Sequence, residues 1–264
     1  MGCALDMTVT DPTELVFQVA VAKLPGARVR DKLTVTLDGK KKLKAHEVAS
    51  TTGTRMHIVE APEGSVTLTY EATVKGRFDR TPVGAAEISE YLRPSRYVES
   101  DKLAEVAAQQ FSELKNPADL LAGVAAWVGS QLSYVPGSSG PTDGATDTLR
   151  IRKGVCRDYA HLTAALLRAR GVAARMVGVY APGCDPMDVH AVVEANVDGV
   201  WRVVDATLLA PRQALVRIAT GRDGADTAFM SNNGGAVTLD NSTVTAVVDG
   251  RLPTDDIGQL VEIR

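Results

Sequence analysis

Three residues have the side-chain types that nucleophilic acyl chemistry requires: a thiol at Cys156, an imidazole at His190 and a carboxylate at Asp205. Cys156 lies in Gly154-Val155-Cys156-Arg157-Asp158-Tyr159-Ala160-His161-Leu162, where a polar approach gives way to a helical pattern. Leu162, Ala165, Leu166 and Ala169 recur at helical spacing until Gly171 ends the run. A thiol on the first turn of a helix has its thiolate stabilised by free backbone N–H groups and by the positive end of the helix dipole. Arg152, Lys153 and Arg157 add positive charge nearby. Taken alone, a single cysteine is equally a small, buried, inert residue. The nucleophile reading depends on a base elsewhere in the chain.

The stretch from His190 to Asp205 supplies one. His190 to Val197 and Val200 to Asp205 read as two strands joined by the hairpin turn Asp198-Gly199. If Val197 pairs with Val200, His190 falls opposite Thr207 and Val192 opposite Asp205. His190 and Asp205 are then diagonal neighbours on one face, about 7 Å apart at the backbone. An imidazole there shares the proton of the thiol, and the carboxylate orients it and stabilises its charged form. Only the His–Asp contact follows from local geometry; the Cys–His contact requires tertiary packing.

Several other residues compete for roles. His161 follows Cys156 closely, but five helical positions place it about 140° round the axis, so it reads as a structural hydrogen-bonder. Asp158, about 200° round, faces away from the thiol and is expected to cap the helix or pair with Arg152 or Lys153. Cys184 reads as an incidental free thiol. Cys156, His161, Cys184 and His190 lack paired-ligand spacing, so no metal and no cofactor are expected, although a redox or metal role for the two cysteines remains a third reading. An acyl-transfer site needs an oxyanion donor. The Cys156 backbone N–H is the first candidate and Tyr134 the second, with Tyr134 equally able to pack the 134–144 loop onto the core. Trp201 is expected in the core or a cleft wall.

These residues must be positioned by the surrounding elements. Residues 1–80 alternate in the half-buried strand manner, as in Val66-Thr67-Leu68-Thr69-Tyr70 and in the run Leu15 to Ala22, with turn signals between runs. They read as an amino-terminal antiparallel β domain, with His46 and His57 on its solvated surface. Residues 81–100 read as an irregular connector rich in Arg, Tyr and Pro. Residues 101–264 read as the catalytic core. It opens with a helix from 101 and a second one starting at Asn116-Pro117, then passes through a polar loop to the cysteine helix. After Gly171 come a strand, the hairpin and a tail whose strands are expected to extend the same sheet.

The cysteine-helix motif, then His190-Ala191, then Asp205-Ala206-Thr207, resembles the bacterial transglutaminase-like superfamily of papain-like Cys-His-Asp proteins. The β-rich front and the Tyr91-Leu92-Arg93-Pro94-Ser95 junction are similar to that family's amino-terminal part. The resemblance implies an α+β fold with the cysteine helix packed on an antiparallel sheet, and Cys156, His190 and Asp205 as nucleophile, base and orienter. The implied activity is acyl transfer or hydrolysis on a peptide or protein amide, through an acyl-thioester. The alternative is a non-catalytic binding or scaffold protein of the same fold.

Composition bounds the rest. The chain has 264 residues, is 45% hydrophobic and 23% charged, and carries a net charge of −3. That balance gives no reason to expect nucleic acid or an anionic membrane as partner. No apolar run reaches spanning length, and the first residues lack a secretory pattern. Three cysteines make no disulfide framework and fit a reducing, cytoplasmic setting.

Overall fold

A computed structural model describes residues 1–264. The alternating strands of the front pair into two antiparallel sheets. One has the order Ala236–Thr245, Gly2–Asp11, Gly64–Lys75, Arg28–Leu37, Lys41–Leu43. The other has the order Met230–Asn233, Thr13–Phe17, Arg55–Ala61, His46–Ala49. Val66, Leu68 and Tyr70 point inward while Ser65, Thr69 and Glu71 point out, as the period of two requires. Their inner faces share one core with Leu5, Met7, Leu15, Phe17 and Val59, the packing of a β-sandwich.

Three expectations for this part need correction. The strand expected over Leu15 to Ala22 stops at Phe17. The residues beyond it are buried because they cross to the second unit: Tyr180 donates to the Val19 carbonyl at 2.8 Å and Ala22 N–H donates to the Arg217 carbonyl at 2.9 Å. His57 is buried, not solvated. Glu47 sits opposite it on the adjacent strand and its carboxylate lies 3.2 Å from Nε2. His46 is exposed, as expected. The tail strands Met230–Asn233 and Ala236–Thr245 join the two amino-terminal sheets instead of extending the core sheet. Of the tail, Val216–Gly221 alone joins the core sheet. Sequence order cannot reveal a pairing such as Gly2 with Thr245.

The connector holds a helix, Ala85–Leu92, where the sequence reads as irregular. Its apolar contribution is short: Ile88 and Tyr91 pack against Ala173 and Trp201. Glu87 ties it to the core through Arg175 at 2.5 Å.

The core sheet has the antiparallel order Val200–Val204, His190–Val197, Ala174–Tyr180, Val216–Gly221. Helices Ala104–Phe111 and Pro117–Gln131 and the cysteine helix, Cys156–Ala169, share one core with it. Asn116 caps the second of these, accepting from Ala118 N–H at 2.8 Å, with Pro117 in the first turn. A further helix, Ala145–Ile151, occupies what reads as a polar approach; only Ala145 and Thr148 of it are buried, too few to make a stripe. The cysteine helix is central. Leu162, Ala165 and Leu166 are fully buried and share their core with Met176, Ala191, Val193 and Ala195 of the sheet. Truncating either leucine to alanine is expected to cost about 2–5 kcal/mol. No helix is long and apolar enough to cross a membrane.

Candidate active site

The turn into the cysteine helix is held on both sides. Lys153–Gly154 pairs in parallel with Ser133–Tyr134, which sets Tyr134 beside Gly154 and fixes the backbone just before Cys156. Gly154 has to be glycine, because a Cβ there would lie 2.5 Å from the Asp158 Cβ. Asp158 closes the helix start. Its Oδ2 accepts from Val155 N–H at 2.7 Å and from the Ser139 hydroxyl at 2.6 Å. Its Oδ1 takes Arg157 Nη2 at 3.0 Å.

Asp158 thus caps and faces away from the thiol as the helical count requires, but its cation is Arg157 and not Arg152 or Lys153. A residue on the first turn reaches back to the N-cap amide more readily than out to the preceding loop. This also spends two of the three expected cations and leaves Lys153, exposed and outside any ion pair, as the third. Arg157 is held by Asp158, the Gly140 carbonyl and Ser139, and Arg152 by Gln131. What surrounds the sulfur is the helix N-terminus, the Val189 carbonyl at 3.8 Å, and His190.

The hairpin has the register read from its turn. Val197 pairs with Val200, and the ladder runs unbroken to Val193 opposite Val204. His190 starts its strand opposite Val179, and Asp205 follows the last residue of its partner strand. The two side chains meet, with His190 Nε2 2.8 Å from Asp205 Oδ2, and both are buried. Asp205 Oδ1 accepts from Thr207 N–H at 2.9 Å and from the Thr207 hydroxyl at 2.7 Å.

Burial alone pushes the His190 pKa down. The Asp205 charge and hydrogen bond, together with a hydrogen bond and charge interaction with Cys156, outweigh it and hold the imidazole well above its ordinary value. Burial likewise raises the Asp205 carboxyl, and His190 and Thr207 reverse this and hold it below the usual range. Since Nε2 serves Asp205, Nδ1 is the nitrogen left for the thiol.

Tyr134 stands at the same place. Its hydroxyl lies within reach of the Cys156 backbone N–H, and its phenol is pushed up by burial and then by the Cys156 charge. Its ring also packs on Tyr159, with centroids 5.9 Å apart, which is the loop-packing use the sequence allows for it. Cys184 is buried with its Sγ 3.4 Å from the Pro186 carbonyl, and burial raises its thiol. It shares a core cluster with Val177, Val179 and Val192.

His161 lies elsewhere, stacked on Tyr97 with centroids 5.4 Å apart. Trp201 is a core residue, with the Arg175 guanidinium 4.1 Å from its ring centroid and Tyr91 edge-on at 5.6 Å. It lines a cavity of about 570 Å³ whose wall includes Arg175, Glu194 and Arg217 and none of Cys156, His190 and Asp205. No three His, Cys, Asp or Glu side chains are grouped so as to hold a metal ion.

Sequence reasoning passes over Thr207. Its signal is the spacing Asp-x-Thr at a strand end, where a carboxylate folds onto the backbone N–H two residues later.

Comparison with known proteins identifies the fold that carries these residues. Residues 104–206 match the model of the transglutaminase-like superfamily. The structure is similar to the crystal structure of a candidate cysteine protease from Cytophaga hutchinsonii, with 31% identity, coverage of 98% of this chain and 94% of that one, and a TM-score of 0.88. Among curated sequences, an uncharacterised protein of Mycobacterium leprae is 28% identical over 147 residues, 53% of each chain. An uncharacterised protein of Mycobacterium tuberculosis is 29% identical over 114 residues, 43% of this chain and 35% of that one. The match therefore spans about half or less of the length of these curated relatives.

Proposed function

The chain belongs to the transglutaminase-like superfamily, and from that premise we propose that it is a cysteine-dependent acyl-transfer enzyme, with Cys156 as nucleophile, His190 as base and Asp205 as the group that orients the base. The observation that carries this reading is His190 Nε2 at 2.8 Å from buried Asp205, on a ring whose pKa is also raised by its interaction with the thiol at a helix N-terminus. A structural imidazole has no need of both.

The thiol proton rests on His190 while the sulfur bonds to an amide carbonyl carbon. The oxyanion takes the Cys156 N–H and the Tyr134 hydroxyl as donors. The C–N bond then breaks, His190 gives its proton to the leaving amine, and an acyl-thioester remains. Water, deprotonated by His190, attacks the thioester. The C–S bond breaks and the acid leaves. An amine in place of water gives transfer. We favour hydrolysis of an amide or isopeptide bond, because water is abundant. The three free thiols fit a reducing, cytoplasmic compartment, which cell fractionation tests.

The test is alkylation of Cys156 by iodoacetamide across pH, in the wild type and in His190→Ala, followed by labelling with acyl probes. Activation predicts a reactivity profile displaced to low pH that returns toward the free-thiol value of about 8.5 in the variant. Identical profiles centred near that value would overturn it. An activated thiol that no acyl probe labels would favour the scaffold reading.

A further inference from the structure

We infer that the proposed enzyme selects acyl substrates with a cationic side chain next to the scissile carbonyl, and that Asp188 is the residue that recognises that charge. The inference rests on the acyl-enzyme reading above. It starts from the loop between the Ala174–Tyr180 and His190–Val197 strands. The last residue of that loop, Val189, places its carbonyl 3.8 Å from the Cys156 sulfur. Asp188 precedes it, and the N–H of that same Val189 donates to the Asp188 carboxylate at 2.7 Å, which ties the carboxylate to the residue that meets the sulfur.

Its carboxylate is fixed in place. Oδ1 accepts from Val189 N–H at 2.7 Å, leaving the other oxygen without a protein donor in an exposed residue. The buried Cys184 sulfur hydrogen-bonds to the Pro186 carbonyl of the same loop at 3.4 Å. The Asp188 charge also helps push up the Tyr134 phenol.

No cation of the protein satisfies it. Asp188 forms no ion pair, whereas Arg157 and Arg152, the guanidinium groups flanking Cys156 in sequence, are committed to Ser139, Gly140, Asp158 and Gln131. A pre-positioned, unpaired carboxylate beside a nucleophile recognises a substrate ammonium or guanidinium and repels an acidic neighbour. A role confined to capping the loop would need only Oδ1. An asparagine would serve it equally well, since its amide oxygen accepts the same bond.

Peptide vinyl sulfones carrying lysine, norleucine or glutamate beside the electrophile make the test, with labelling of Cys156 followed by intact mass. In the wild type the lysine probe should label faster than the norleucine probe by about two- to fivefold, the range of an exposed ion pair, and the glutamate probe should be slowest. Asp188→Asn should level the three rates, and Asp188→Lys should reverse their order. Asp185→Asn, which removes the other exposed carboxylate of the loop, should leave the order as it is. An order unchanged in Asp188→Asn, or an equal fall for all three probes, overturns the inference while leaving the acyl-enzyme reading intact. A protein that iodoacetamide alkylates at Cys156 but that no vinyl sulfone labels overturns both.

Discussion

Two histidines are buried at the cysteine helix, His161 on it and His190 on the strand packed against it, and their surroundings differ in one respect that decides their chemistry. Each has a carboxylate nearby: Asp205 for His190 and Asp223 for His161. At the hairpin end the carboxylate bonds directly to the imidazole, at 2.8 Å. At the helix flank it does not. Asp223 spends its oxygens on the backbone N–H groups of Tyr97 and Ala225, both at 2.9 Å. His161 Nε2 instead accepts from Gly224 N–H at 3.0 Å. A nitrogen that receives a hydrogen bond cannot take a proton without losing that bond. Burial then dominates, and the His161 pKa falls to about 4, while that of His190 rises. Burial is therefore a poor guide to a base. The direction of the hydrogen bond to the ring is a better one.

The contrast is broken most severely by exchanging the fates of the two rings. His190→Ala is expected to lower acyl-probe labelling of Cys156 at neutral pH by about 10²–10⁴-fold, the usual span of a lost general base. His161→Gln should leave labelling within about threefold, because its ring touches neither the thiol nor Asp205. A large loss in both variants, with the fold intact by circular dichroism, would mean that the two sites are coupled through the helix and that the distinction drawn from hydrogen-bond direction is wrong.

The second effect concerns stability. The folded protein holds His161 neutral down to about pH 4, whereas an unfolded histidine takes up its proton near 6.5. Between those values the unfolded state binds the extra proton, so stability falls as pH falls. The difference amounts to about 2 kcal/mol between pH 7 and pH 5. Urea unfolding at the two pH values should show a stability change that is less favourable to the wild type than to His161→Gln by about that amount, because His57 and His190 contribute equally to both. His190 has the opposite sign: its raised pKa contributes stability below about 6.5 that disappears as pH rises through the folded value.

How far the sequence carries these conclusions depends on the range of the interaction. The hairpin was legible because a two-residue turn sets register, and register sets which side chains meet; His190 and Asp205 follow from Asp198-Gly199 alone. The helical exclusion of His161 is local in the same way. Nothing local announces that Asp223 would come to Tyr97, or that residues 236–245 would pair with the first strand. The burial of His57 depends on Glu47 and on the opposing sheet. The partners of Arg157 are not legible for a related reason: charge near a thiol in sequence says nothing about which oxygen the guanidinium finally meets. The approach of the 181–189 loop to the sulfur likewise needs the fold, since only packing brings the Val189 carbonyl to Cys156.

The smallest effect sharpens the comparison most. If the pairing of Asp205 with His190 makes the difference, whatever holds that carboxylate in line should matter too, and Thr207 does so with two bonds to one oxygen. Thr207→Val keeps the backbone bond and the shape and removes the hydroxyl. The net worth of one hydrogen bond to a charged group is about 1.5–3 kcal/mol, and the retained N–H bond compensates part of it. Labelling of Cys156 should therefore fall by about tenfold, with the reactivity profile moving up in pH because Asp205 aligns less well with the imidazole. Thr207→Ser restores the hydroxyl and should restore both. A rate that falls without any movement of the profile, and that serine fails to rescue, would assign Thr207 to packing. The contrast between the two histidines would then rest on Asp205 alone.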